Sequence, residues 1–170
     1  MSHTEMNTAQ DLVTYLTDQH QQVKDVMPKV LDLAGDERQE AFTRVRRMLA
    51  VHEALEQSTV HLLATTEVSP EEAAARVQEE TAAESAISDL ESDGAMSADF
   101  EDKYRALCSD VVNHAAHEEE EEFGQLTGDL TDQAKAKVAL AEKLQDGTGL
   151  MGASFKDMFA SAHEQLRQLE

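Results

Sequence analysis

Four stretches of this chain carry apolar residues at alternating three- and four-residue spacing, and in all four that stripe is interrupted by ionisable side chains. The first runs Leu12, Leu16, His20, Val23, Met27, Val30, and the second Phe42, Val45, Leu49, His52, Glu56, Thr59, Leu63. The third runs Ala73, Val77, Glu80, Glu84, Ile87, Glu91, with Leu90 beside it, and the fourth Phe100, Tyr104, Leu107, Val111, His114, Glu118. This spacing marks one face of an α-helix. The chain must therefore fold as helices that turn these faces inward, and must accommodate histidines and carboxylates where they meet. Alternating β-branched and aromatic residues are absent, so no strands are expected.

The punctuation between stripes sets the helix limits. Residues before about Asp11 read as a polar, mobile start. The first helix is expected over residues 11–33, closed by Gly35, and the second from Asp36, with Gln39 as capping-box partner, to about Ala64. Ser69, Pro70, Glu71 and Glu72 supply a cap, a proline and an acidic first turn for a third helix over 70–91. Ser92, Asp93 and Gly94 break it, and a fourth starts near Ser97 or Asp99 and reaches Gly124 to Gly128. A further helix is expected over 131–144 and a flexible joint over 146–152. A last helix follows, carrying Phe155, Phe159, Ala162, Leu166 and Leu169 on one face. Long helices with short connections imply an all-α, up-down-up-down four-helix bundle over residues 11–128, with a C-terminal helical extension over 129–170. A chain of 170 residues suits one such domain.

The interruptions fall at matching depth in an up-down bundle, so His20, His52, Glu56, Glu80, Glu84, His114 and Glu118 should converge. Residues at i and i+4 lie one above the other on a helix and can share an ion. An isolated carboxylate in an apolar interior costs tens of kcal/mol by the idealised estimate. No Lys or Arg interrupts the stripes at that level, Arg46 and Arg47 lying off the second one. Metal is the obvious counter-charge: two divalent cations would balance four carboxylates beside three neutral imidazoles. Nitrogen and oxygen donors without thiolate suit iron or manganese, with zinc as an alternative.

The order His20, then His52 and Glu56 four apart, then a paired third helix, then His114 and Glu118, resembles the hemerythrin-like (HHE cation-binding) domains. The resemblance covers about residues 11–126 and includes the acidic run 117–122 followed by Phe123. It implies a four-helix bundle holding two oxo- or hydroxo-bridged non-haem irons, with Glu56 and Glu118 as bridging carboxylates and the other residues named above as further ligands. It also implies dioxygen, peroxide or nitric oxide as small ligands. In that family the third helix normally brings histidine, where this chain has Glu80 and Glu84. Carboxylate in place of imidazole favours higher oxidation states, and shifts the expectation from oxygen carriage towards peroxide or oxygen chemistry, including catalase-like decomposition. Two other classes are an iron or oxygen sensor or store without turnover, and a metal-free acidic module that binds a partner through Phe155, Phe159 and Leu166.

Fourteen Lys and Arg against 35 Asp and Glu give a net charge of −21, which repels a phosphate backbone and argues against nucleic acid. No apolar run approaches about 18 residues, and MSHTEMNTAQ lacks a basic region followed by an apolar one, so neither a membrane span nor a signal peptide is expected. The lone Cys108 fits a reducing cytoplasm and a small buried filler. His117 with Glu121 repeats the His114–Glu118 spacing as a rival, and Glu119 is an alternative to Glu118. Glu119, Glu120 and Glu122 otherwise read as a solvated face. His61 reads as a surface or interhelix residue, Tyr15 and Tyr104 as too far from the ligand level to be ligands, and His163 as a cover for the site only if the last helix folds back.

Overall fold

A computed structural model describes residues 6–64 and 70–170, with all side chains among these except those at 61–64 and 73. The expected gap and Ser69 cap at 65–69, and His3, lie outside the described residues, as do the side chains of His61, Leu63 and Ala73. The fold is all-helical. Among the described residues are six α-helices: α1 (Ala9–Val26), α2 (Gly35–Ala64), α3 (Pro70–Asp93), α4 (Phe100–His117), α5 (Asp132–Gln145) and α6 (Phe155–Arg167). Among the described residues the only extended pairing is a single bridge between Thr8 and Asp129.

Residues 7–9, within the stretch expected to be mobile, are held by specific hydrogen bonds, and residues 1–5 of that stretch lie outside the described residues. Thr8 caps α1 by accepting from the Asp11 N–H, while the Asp11 carboxylate accepts from the Thr8 backbone at 2.8 Å. The Ala9 N–H donates to Gly128 O at 2.8 Å and the Leu130 N–H to Asn7 O at 2.7 Å, which ties this start to the segment before α5. The first helix also ends earlier than expected. Pro28 has no N–H and its ring crowds the preceding turn, so α1 gives way to a 3₁₀ stretch, Met27–Asp32. Gly35, with φ 59°, then starts α2 in a conformation that a side chain would resist. Gln39 does not close a capping box; its Oε1 accepts from the Ala95 N–H at 3.3 Å and fixes the α3–α4 turn.

α4 does not run on as α-helix to Gly124. At Glu118–Glu122 it widens into a π turn, followed by a 3₁₀ turn, Phe123–Gln125. In a π turn residues five apart share a face, and this brings Phe123 round to the side of Glu118. Glu122, expected in solvent, is buried as a result (4% exposed).

Two hydrophobic clusters hold the helices together. One joins Leu12 and Leu16 of α1, Leu55 of α2, Phe123, Leu144 of α5 and Leu166 of α6. The other joins Met27, Phe42, Ile87, Phe100, Tyr104 and Phe155. Within it Phe42 meets the Phe100 and Tyr104 rings edge-on at 5.2 and 5.9 Å. Burial of each such side chain stabilises the fold by roughly 1.5–3 kcal/mol. α6 packs along α2 and joins both clusters, while α5 packs beside α2 and joins the first. Arg46, although off the stripe, is buried: it stands over the Phe42 ring at 4.7 Å and pairs with Glu91 at 3.1 Å. Val77, expected to face inward, is 56% exposed, and the buried residues of α3 are Ile87 and Leu90 near its end and Arg76. No described helix is long and apolar enough to cross a membrane.

Candidate metal centre

Between the two clusters four helices present ionisable side chains to one another. His20 comes from α1, His52, Glu53 and Glu56 from α2, Glu80 from α3, His114 from α4, and Glu118 from the first position of the π turn. They form two groups. In the first, His20, His52, Glu56 and Glu118 are all buried, and one donor atom from each lies within 4.8 Å of the others. In the second, Glu53, Glu80 and His114 meet the same criterion and are half-buried. Glu118 joins them: Oε2 lies 3.3 Å from His20 Nε2 and Oε1 lies 3.0 Å from His114 Nε2. Glu56 Oε1 lies 3.1 Å from His52 Nε2 and 3.6 Å from His20 Nε2.

The imidazoles share one orientation. Nδ1 of His52 meets Gln19 Oε1 at 2.8 Å, Nδ1 of His20 meets Glu119 Oε1 at 2.8 Å, and Nδ1 of His114 meets Glu79 Oε2 at 2.9 Å. These oxygens only accept, so each ring carries its hydrogen on Nδ1 and in the neutral form directs the Nε2 lone pair inward. Outer hydrogen bonds of this kind orient metal-ligating histidines. Gln19 is itself held, its Nε2 donating to the Tyr15 hydroxyl at 2.9 Å. His20 Nε2 and His52 Nε2 lie 3.0 Å apart, a separation that calls for a proton shared between the rings or a metal ion against both.

The charges express the same strain. Burial opposes protonation of His20, yet its contacts with Glu118 and Glu56 prevail and push it up to about 10. His114 is likewise pushed up to about 10 by Glu118 and Glu79 against the cost of burial. Burial also disfavours ionised Glu56, but the His52 and His20 rings hold its carboxyl well below the usual range. Glu53 goes the other way, raised well above the usual range by burial and by Glu80, Glu56 and Glu118. Both oxygens of Glu56 and Oε2 of Glu118 are buried without a well-aligned hydrogen-bond donor among the described residues. Three imidazole nitrogens, a set of carboxylates and unsatisfied buried oxygens fit a metal ion.

The structure brings together His20, His52, Glu56, Glu80, His114 and Glu118. Glu84, expected beside Glu80, stands one turn further along α3 on the wall of an adjoining cavity and belongs to neither group. Glu53 takes part although the stripes did not indicate it. It lies 100° from His52 around the helix, at the border of a buried face wider than a single line of residues. His117 turns outward, its Nδ1 2.8 Å from Glu79 Oε1, and Glu119 holds His20 from outside. His163 stacks on Phe159 at 5.5 Å and is in neither group. Cys108 is half-buried, and burial pushes its thiol up to about 11. Tyr104 donates to Met27 O at 2.9 Å within the second cluster.

Fold and site together define an all-helical protein whose buried histidine–carboxylate cluster could hold a metal. No family model, curated protein or solved structure matches the chain.

Proposed function

We propose that the chain is a hemerythrin-like protein in which α1–α4 act as a four-helix bundle around two metal ions, iron foremost, serving chemistry on dioxygen, peroxide or nitric oxide. The observation that carries this is the inward aim of three Nε2 atoms, each fixed by an outer acceptor on Nδ1, around carboxylates that lack donors. Iron bound there supplies redox and Lewis-acid chemistry towards such small ligands. The chain's own residues do the rest. Glu118, with one oxygen facing each group, sets the spacing of the two halves, and Glu56 closes the more buried half. Phe123 stacks on the His20 ring at 5.6 Å and keeps water from that side. The surplus of carboxylate over imidazole favours the more oxidised cation, which supports peroxide chemistry over reversible oxygen carriage.

The test is anaerobic reconstitution with ferrous iron, then elemental analysis and exposure to air and to hydrogen peroxide. The expected result is about two ions per chain, as in two-metal sites, oxidation in air, and peroxide loss faster than with free iron. Glu56→Ala and Glu118→Ala abolish both the loading and the peroxide loss. Fewer than about one ion per chain overturns the metal centre, and reversible oxygen uptake with peroxide left untouched overturns the chemistry assigned to it.

A further inference from the structure

A cavity of about 440 Å³ adjoins the donor cluster, with His20, His52, Glu53, Glu80 and His114 at one end. Away from that end its walls are mainly apolar, formed by Val23, Leu49, Ile87, Val111, Phe155 and Phe159. Protein interiors hold few voids larger than a water molecule, and a space of this size lies within the roughly 300–1,000 Å³ of small-molecule sites. Water occupies about 30 Å³ in the liquid, so dioxygen or peroxide alone would leave most of the cavity empty. α6 roofs it through Phe155 and Phe159. That roof is anchored, since the Phe155 N–H donates to Glu91 Oε1 at 3.0 Å and Arg46 pairs with Glu91 and donates to Ala153 O at 3.1 Å. Val77 (56% exposed) and the exposed Thr81, both on the lining, mark an opening along α3.

We infer that this cavity binds an uncharged, largely apolar organic molecule of about two fused rings, with one end against His52, Glu53 and His114. Charge selects against an anion. The walls carry Glu53, Glu80 and Glu84 against one lysine, Lys24, paired with Glu119 at 3.7 Å, and the His20 and His114 rings, which Glu118 engages at 3.3 and 3.0 Å. A cation at the donor end would have to displace the Gln57 amide, which donates to Glu53 at 2.9 Å and to Glu80 at 3.3 Å. The inference deepens the metal-centre proposal, since a role as substrate rests on that proposal, whereas binding rests on the cavity walls alone.

The test uses the full chain and 1-fluoronaphthalene, followed by ¹⁹F NMR, with metal content measured on the same samples. Saturable single-site binding is expected in metal-free, Zn²⁺-loaded and Mn²⁺-loaded protein, with the bound resonance broadened by Mn²⁺ and not by Zn²⁺. Ala83→Trp fills the space from α3 and should weaken binding at least about tenfold, as one misfit group in an apolar pocket does. Thr81→Trp, at an exposed position that leaves the fold intact, should obstruct the opening and slow exchange of the probe. Absence of saturable binding overturns the inference, as does binding unchanged in both variants or a resonance that Mn²⁺ leaves sharp in loaded protein. Binding by a chain that takes up no metal sustains the cavity and overturns the metal centre. Metal uptake without probe binding does the reverse.

Discussion

Gln19 hydrogen-bonds one donor residue of the buried group, His52, and decides what that ring can do. Its oxygen meets His52 Nδ1 at 2.8 Å and its amide is kept in that orientation by the Tyr15 hydroxyl. Gln19→Ala leaves Nδ1 free to take the wrong tautomer, and loss of such an outer partner typically costs about 10–100-fold in metal affinity. Competition with a chelator measures it; an affinity equal to that of the unaltered chain would mean that His52 is oriented by packing alone. Gln19 and Glu53 show where sequence reading stops at this scale. His20, His52, Glu56, His114 and Glu118 are legible because an ionisable group on an apolar stripe is costly and calls for a partner. A glutamine or glutamate beside the stripe is indistinguishable from an ordinary surface residue until the neighbouring helix is in place.

The elements divide by how local their causes are. The starts of α3 and α5 follow from Pro70 and Thr131, residues whose effect reaches one turn, and lie within a residue of where the sequence puts them, while α6, which the sequence leaves without stated limits, starts at the Ser154 cap. The π turn has no such local marker in a run of five glutamates; it is set by the tertiary need to bury Glu118, Glu122 and Phe123 together. The Thr8–Asp11 box is local but hidden by a start that reads as mobile. It carries a pH signature. Backbone hydrogen bonds from Thr8 and Asn7 hold the Asp11 carboxyl below its ordinary value of 3.8. A depressed folded-state value means that the contribution is complete above the unfolded-state value and is lost as pH falls through the folded one. Asp11→Asn should therefore lower the urea midpoint by a constant amount from neutral pH down to about 4, with the gap to the unaltered chain closing below that. A gap that widens on acidification would contradict the box.

At the scale of the molecule, charge buried between two apolar clusters makes the fold depend on what balances it. Without metal, Glu53, Glu56, Glu80 and Glu118 crowd together, relieved by protons on His20, His114 and Glu53 and by the Gln57 amide, which donates to Glu53 and Glu80. Binding to the folded state alone stabilises it by mass action, about 2.7 kcal/mol at 100 times Kd, which for a chain of this size amounts to about 5–11 °C in Tm. Calorimetry of metal-free and Fe²⁺-loaded protein at neutral pH checks this, and superimposable melts would rule it out. The overall helical class is legible from periodicity. The joining of α5 to one cluster and of α6 to both is not, because an amphipathic face shows that a helix is covered and not by what.

Glu118 gives this dependence a direction. One carboxylate presents one oxygen to the more buried group and the other to the more open group. An ion held in either half would orient that carboxylate, and would leave its second oxygen already placed towards the other half. The two ions of the proposed centre should accordingly fill as a cooperative pair, with singly loaded chains scarce during titration. Linkage makes the relation mutual: whatever extracts one ion loosens its companion.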